Sequence, residues 1–331
     1  MEYRTLGETG IRVSRIGFGV LTVGATQLAL SVEESGDLIR YAWQQGINFF
    51  DTAQYYKTYP HLADGLAKIE RQRLGAAGGR MSSLPAPVIC SKSLDPTAQG
   101  MTTAIAEARS ALKRDTIDIF LLHEVRPGDF SLRSGAWEAL KEAKAKGWVR
   151  TIGISTHHVD VAESMLDVPS CDVVFPLINK EGLGIRCGDG PGTPEAMADV
   201  IRQLDEAGKG IFSMKVFGGG NLTGRYIECL DYVSHLPGVD SMMIGFGRKT
   251  EVDDAAAYIE GRLADDYQPD ISRKKIHIDS GDCEGCGRCI KRCPNHAIFM
   301  TRQGIASVDP HRCLTCGYCA PVCPVRAILL L

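Results

Sequence analysis

Short apolar runs alternate with longer amphipathic stretches along most of the chain. The runs at 15–18, 47–50, 87–91, 117–122, 149–154, 172–175, 210–215 and 241–244 are four to six residues long and predict buried strands. The stretches at 32–45, 61–74, 97–112, 135–146, 158–166, 194–207, 225–235 and 250–262 repeat their apolar positions with helical period. Ahead of them, Tyr3–Thr5 and 11–13 flank Leu6-Gly7-Glu8-Thr9-Gly10, which predicts a hairpin with a glycine-containing turn. Eight strand–helix units over about 250 residues predict a closed parallel (β/α)8 barrel, a TIM barrel in the α/β class. A doubly wound open sheet is the competing architecture, and the count of eight favours the barrel. The segments 75–85, 181–194 and 217–224 break the pattern and read as irregular. The last two follow the presumed sixth and seventh strands, so they are expected over the C-terminal mouth.

The pattern changes after residue 263. Residues 264–275 are polar and read as a linker; residues 276–331 form a separate unit, expected to be a small α+β domain. That unit holds Cys283-x-x-Cys286-x-x-Cys289-x-x-x-Cys293-Pro294 and, thirty residues on, Cys313-x-x-Cys316-x-x-Cys319-x-x-x-Cys323-Pro324. Gly287 recurs as Gly317 and Ala297-Ile298 as Ala327-Ile328, so the unit is an internal repeat. Two-residue gaps let one loop wrap three irons of a four-iron cube, and the fourth Cys of such a run ligates the other cluster. The expected sets are therefore Cys283, Cys286, Cys289 and Cys323 for one 4Fe-4S cluster, and Cys313, Cys316, Cys319 and Cys293 for the other. Paired C-x-x-C motifs also bind zinc; the doubled run ending twice in Cys-Pro favours iron. This segment resembles a bacterial two-cluster ferredoxin.

Composition narrows the class further. The chain has 331 residues, 44% hydrophobic and 23% charged, enough for a full core in a large domain plus a small one. Its net charge of −3 gives no electrostatic case for nucleic acid or an anionic membrane. The first ten residues lack an apolar signal core, and no run reaches the ~18 apolar residues of a membrane span. Only Cys90, Cys171, Cys187 and Cys229 lie outside the cluster runs. A reducing cytoplasm is the expected compartment.

In such a barrel the site lies at the C-terminal ends of the strands. Asp51, Lys92 and His123 fall at the ends of the presumed second, third and fourth strands, and Tyr56 lies on the loop after Asp51. Singly these are a cap, an ion, a hydrogen-bonded His and a packed Tyr; together they converge on one mouth.

Here residues 1–263 resemble the aldo-keto reductases. The resemblance rests on the opening Tyr3-Arg-Thr-Leu-Gly-Glu-Thr-Gly, on Asp51-Thr52-Ala53-Gln54-Tyr55-Tyr56, and on Ser155-Thr156 at the family's nicotinamide-binding step. It implies hydride transfer between NADP or NAD and a carbonyl or alcohol. Tyr56 would protonate the carbonyl oxygen, Lys92 held by Asp51 would favour the tyrosinate, and His123 would orient the carbonyl. A free phenol has a pKa near ~10, which is why help is needed. Cofactor contacts would come from Ser155, Thr156, Lys215, Gly245, Gly247, Arg248 and Lys249.

The sequence departs from the family in places. Lys57 follows the tyrosine where a glycine is usual, Thr156 stands for Asn, Phe175 for Gln, and the run 244–250 lacks the usual phosphate-binding pattern. Gly17-x-Gly19 and Gly245-x-Gly247 do not complete a dinucleotide fingerprint and read as rim turns. The loop Phe217-Gly218-Gly219-Gly220-Asn221 could wrap a pyrophosphate or simply move. Cys187 reads as exposed, His157 and His158 as a helix start, and Arg273-Lys274-Lys275 as a solvated face or a dock for an acidic electron carrier.

Two functions are open at this level. One is an aldo-keto reductase-type enzyme whose clusters exchange electrons with a ferredoxin-type partner or hold the C-terminal domain in place. The other is an electron-transfer or redox-sensing protein, or a ferredoxin-fed reductase, whose barrel uses no nicotinamide. A nicotinamide moves two electrons and a cluster one, and no flavin motif is present to split the pair.

Overall fold

The computed structural model describes residues 1–75 and 84–331. Two short strands, β1 (Tyr3–Thr5) and β2 (Arg12–Ser14), form the antiparallel hairpin at the start. Six parallel strands follow: β3 (Ile16–Gly19), β4 (Phe49–Asp51), β5 (Val88–Ser93), β6 (Ile117–Leu122), β7 (Val149–Thr156) and β8 (Val173–Pro176). The loop after β8 carries a two-residue ladder, β9 (Arg186–Cys187) with β10 (Gly190–Pro191). Next come β11 (Gly210–Ser213) and β12 (Ser241–Ile244). β11 pairs with β8 and with β12, and β12 pairs with β3, so the eight parallel strands close into a barrel. The open-sheet alternative is thereby excluded.

Helices cover the outside: α1 (Val32–Gln44), α2 (Tyr59–Gly75), α3 (Ala98–Leu112), α4 (Asp129–Leu132), α5 (Ser134–Ala145), α6 (Val159–Ser164), α7 (Pro194–Glu206), α8 (Tyr226–Ser234) and α9 (Lys249–Ile259). Their starts are set by local chemistry. Ser31 and Glu34 form a reciprocal capping box on α1, Thr97 caps α3, and Thr193 caps α7 with Pro194 behind it. The irregular reading of 75–85 lies mostly outside the described residues.

Two cores result from strands buried on both faces. One lies between strands and helices. The other fills the lumen with Phe49, Ile119, Leu121, Val173, Phe175, Phe212 and Met243, and Leu6, Ile11 and Val13 of the hairpin plug its N-terminal end. The plug requires Gly7, whose φ is +48° and where a Cβ would meet the Gly210 nitrogen at 2.4 Å. With that end sealed, the polar residues of the opposite rim face the open mouth.

The tail contains β13 (Ile276–Ile278), α10 (Arg288–Arg292), β14 (Ile298–Met300), β15 (Ala306–Val308) and β16 (Ile328–Leu330). β13 pairs with β16 and β14 with β15, both antiparallel. The sequence repeat is a structural repeat: the Asp279 N–H donates to the Ala327 carbonyl and the Asp309 N–H to the Ala297 carbonyl, each at 2.7 Å.

The tail lies across the barrel mouth. The Leu330 N–H donates to the Gly219 carbonyl and Asn221 Nδ2 to the Ile328 carbonyl, both at 2.9 Å. A Cβ at Gly220 would stand 2.1 Å from the Leu330 carbonyl oxygen, so this glycine lets the last strand approach. On the other side, Gln27 Nε2 donates to Asp279 and the Tyr55 hydroxyl to the Gly281 carbonyl, at 3.3 and 3.2 Å. Among the described residues no helix is long and apolar enough to cross a membrane.

Candidate functional site

The strand ends bring the four expected residues together. Asp51 closes β4, Lys92 sits in the last turn of pleat of β5, and His123 follows β6. Tyr56 ends the single 3₁₀ turn after β4, which folds its ring back over the mouth. Lys92 Nζ donates to both Asp51 oxygens, at 2.7 and 2.9 Å, and to the Thr52 carbonyl at 2.8 Å, with the lysine only 1% exposed. The Tyr56 hydroxyl lies 3.2 Å from His123 Nε2, and the two rings meet edge to face.

Electrostatics qualify the expected role of Lys92. Its three donors are all used, and its ammonium stands over the face of the Tyr56 ring, 4.8 Å from the centroid. Burial, reinforced by the Asp51 carboxylate, pushes the Tyr56 phenol well above its usual range. The phenol is therefore held in its protonated form. Burial, with Lys92 nearby, pushes His123 well below the usual imidazole range, so it is neutral. Burial also raises the Asp51 carboxyl, against the opposing pull of Lys92. Arg133 fixes this corner by donating to the His123 and Ser93 carbonyls, each at 2.8 Å. Nothing in the sequence pattern marked Arg133.

Two cavities share Tyr56. The larger, about 670 Å³, runs from Asp51 and Tyr56 past Gly19 and Phe175 to Gly245, Gly247 and Arg248. Its outer wall is the segment read as a linker, including Tyr267, Arg273 and Lys274, and its roof is Leu329–Leu331. Of the expected cofactor contacts, Lys215, Gly245, Gly247 and Arg248 line it. Lys249 does not: it lies over the ring of Tyr41, because its place in the first turn of α9 points it outward. Gly245 and Gly247 serve close approach rather than turning, since a Cβ would meet Thr22 Oγ1 at 1.8 Å and Leu28 at 2.3 Å. In the basic run at 273–275, Lys274 is paired with Glu251 at 2.6 Å, while Arg273 and Lys275 are exposed.

The smaller cavity, about 280 Å³, is lined by Tyr55, Tyr56, Lys92, His123, Ser155, Thr156 and His157, and also by Asp282, Cys283 and Glu284 of the tail. Ser155 and Thr156 hold backbone here: Ser155 Oγ accepts from the Glu124 N–H and Thr156 donates to the Val125 carbonyl. His158 precedes α6 as a helix start, while His157 faces the cavity. Cys187 is exposed. Phe175 stacks on Phe212 at 4.2 Å between centroids. The tail residues of this wall could not be found from sequence, because no local signal says where a second domain docks.

The cysteines also sort into the expected sets. Cys283, Cys286, Cys289 and Cys323 line one small apolar space, and Cys293, Cys313, Cys316 and Cys319 line another. All are free thiols. Backbone N–H groups point at several sulfurs, with Ala297 on Cys293 at 3.2 Å and Ala306 on Cys283 at 3.4 Å, as charged sulfur requires. Among the described residues no three Cys, His, Asp or Glu converge closely enough for a single ion. Four thiols around a wider space fit a cube better than one tetrahedral zinc.

Comparison with known proteins agrees with this architecture. Residues 15–240 match the aldo/keto reductase family model, and residues 276–330 match the 4Fe-4S dicluster domain. L-galactose dehydrogenase of Arabidopsis thaliana is 26% identical over 231 residues, 67% of each chain. D-threo-aldose 1-dehydrogenase of a Pseudomonas species is 27% identical over 259 residues, covering 66% of this chain and 72% of that one. An aldo-keto reductase structure from Bacillus halodurans superposes with a TM-score of 0.62 at 17% identity, over 82% of this chain and 98% of that one, a likeness of fold. Since the first model spans most of the barrel and the second the whole cysteine repeat, this chain is an oxidoreductase of the aldo/keto reductase family with a 4Fe-4S dicluster domain at its C-terminal end.

Proposed function

We propose that the barrel interconverts a small hydrogen-bonding carbonyl compound and its alcohol. The observation that carries this reading is that Tyr56 belongs to both cavities. One cavity then takes NADP or NAD and the other the substrate, and the phenol stands where they meet. A nicotinamide bound in the larger cavity would supply hydride. Lys215, Arg248 and Arg273 offer cations for its phosphates.

The chain's own residues handle the proton. Tyr56, protonated and 3.2 Å from a neutral imidazole, donates to the carbonyl oxygen as it gains charge. His123 Nε2 orients that oxygen beside the phenol. The Lys92–Asp51 pair lies beneath the ring and steadies the phenolate left behind. Aldose-oxidising relatives and the polar wall of the smaller cavity support a polyhydroxylated substrate. Tyr56→Phe should abolish carbonyl reduction and keep the iron–sulfur absorbance; unchanged turnover would sink the proposal.

One observation favours a second reading. Cys283, a ligand in the first expected cluster set, lines the smaller cavity together with Tyr56 and His123. A cluster held there would border the substrate and could deliver single electrons from a ferredoxin-type donor. Anaerobic titration with NADH and NADPH separates the readings: saturable binding supports the first, and cluster bleaching only by a protein donor supports the second.

A further inference from the structure

The tail's acidic and basic side chains are used differently. Its carboxylate side chains are engaged or face the barrel. Asp279 accepts from Gln27, Asp282 and Glu284 line the smaller cavity, and Asp309 accepts from the His311 N–H. Its cations Arg288, Lys291, Arg292, Arg302 and Arg312 are all exposed, and none has a carboxylate partner among the described residues; Arg292 lies against Tyr318. The barrel's own surface differs, since many of its charges sit in ion pairs such as Lys141–Glu138, Arg202–Glu206 and Lys68–Asp64.

Apolar groups sit among those free cations. Leu314 is 69% exposed and lines the space enclosed by Cys293, Cys313, Cys316 and Cys319. Tyr318 is 55% exposed, next to Cys319, with the Arg292 guanidinium 5.4 Å from its ring centroid. Cys316 is itself exposed. Among the described residues no barrel residue lines either cysteine space, but Cys283 of the first set also lines the barrel's smaller cavity, which no cysteine of the second set does. An exposed leucine and tyrosine ringed by unpaired cations are the make-up of a transient interface: an apolar centre for close approach and a charged rim for steering.

We infer that the face formed by Lys291, Arg292, Arg312, Leu314 and Tyr318 docks an acidic one-electron carrier protein, and that electrons enter through the Cys293–Cys313–Cys316–Cys319 site. This rests on the reading that the tail carries two clusters. Each encounter moves one electron: the carrier is oxidised by one and the cluster reduced by one, with no proton or group transferred. Two encounters load the two clusters with one electron each. Charge complementarity selects the partner, since an acidic protein is attracted where a basic one or a nucleic-acid binder is not. The first site, set against the barrel, is then the inner station.

Stopped-flow mixing of the cluster-loaded protein with a photoreduced acidic bacterial ferredoxin tests this, following cluster absorbance. The rate should fall steeply as sodium chloride is raised, through screening of the rim. The Lys291→Glu/Arg292→Glu variant should react at least about tenfold more slowly at low salt. Its reduction by dithionite and its cluster paramagnetic resonance spectrum should match those of the parent. Leu314→Gln should weaken saturation by the ferredoxin and leave the salt slope unchanged. Lys141→Glu on α5, a charge reversal away from the tail, should change nothing. A salt-independent rate, or equal rates for parent and charge-reversed protein, would overturn the docking face while leaving the clusters in place. Failure to bind iron at all would remove the underlying reading along with it.

Discussion

Lys92 and Asp51 form a two-pronged ion pair at 2.7 and 2.9 Å, and the pair lies under the Tyr56 ring rather than at its hydroxyl. An ammonium so deeply buried depends on its partner, because an uncompensated charge there keeps the full desolvation cost. Asp51→Asn should therefore destabilise the protein by about 3–5 kcal/mol, while Asp51→Asn with Lys92→Met should recover much of that loss. Denaturant unfolding of the three proteins checks it; an Asp51→Asn variant as stable as the parent would show the pair to be unimportant.

The same geometry sets the pH response. His123 titrates well below the usual imidazole range and Tyr56 well above the usual phenol range. Between them neither group changes charge, so kcat/KM for carbonyl reduction should be flat from about pH 6.5 to pH 9. For folding, the sign follows from proton uptake. The unfolded chain protonates His123 near ~6.5 and the folded one only at lower pH, so stability is lost as pH falls below that value. A rate that drops alkaline of pH 8 would instead indicate a phenol biased toward tyrosinate.

Lys57 occupies the left-handed region, with φ +57° and ψ +25°, directly after Tyr56. A side chain there carries a steric cost of about 1 kcal/mol that glycine avoids. Lys57 is exposed and makes no ion pair given by the structure, so little is lost on its removal. Lys57→Gly should raise the melting temperature by ~2 °C with turnover preserved. A fall in melting temperature would mean that the backbone freedom added to the unfolded chain outweighs the relieved strain.

At the far end of the larger cavity, Glu251 accepts from the Gly247 N–H at 2.7 Å and pairs with Lys274 at 2.6 Å. The carboxylate fills a place where helix α9 and a lysine would otherwise attract an anion. With the proposed nicotinamide at Tyr56, the adenosine half of the dinucleotide would lie at this end, and only NADP would bring an extra phosphate there. Glu251→Gln should tighten NADPH binding by about tenfold and change NADH binding little, as measured by quenching of reduced-nicotinamide fluorescence. Equal shifts for both cofactors would place Glu251 away from the 2′ position.

Much of this molecule was legible without coordinates. The barrel followed from the count and spacing of its apolar runs, since strands buried on both faces and helices buried on one leave different periods. Strand and helix limits moved by up to three residues because ends are fixed by caps and pairing rather than by hydrophobicity, as with Thr97 before α3, the extension of β7 to Thr156 and the end of α9 at Ile259. The rim residues followed too, because each is a local property of a strand end. Other features depended on where distant segments meet. The segment 264–275 became a cavity wall, the loop at Gly219 and Gly220 received the last strand, and Lys249 turned outward.

The sequence alone determined which atoms are available: thiols spaced for two cubes, and a phenol, ammonium, imidazole and carboxylate on successive strand ends. Tertiary structure alone decided that Cys283, Asp282 and Glu284 share a cavity with Tyr56. It also decided that the Lys92 ammonium stands over the face of the Tyr56 ring. The physical reason is range. Periodicity and ligand spacing are encoded within a turn or a loop, whereas docking and burial arise between residues from 41 to 226 positions apart, and no local pattern records them.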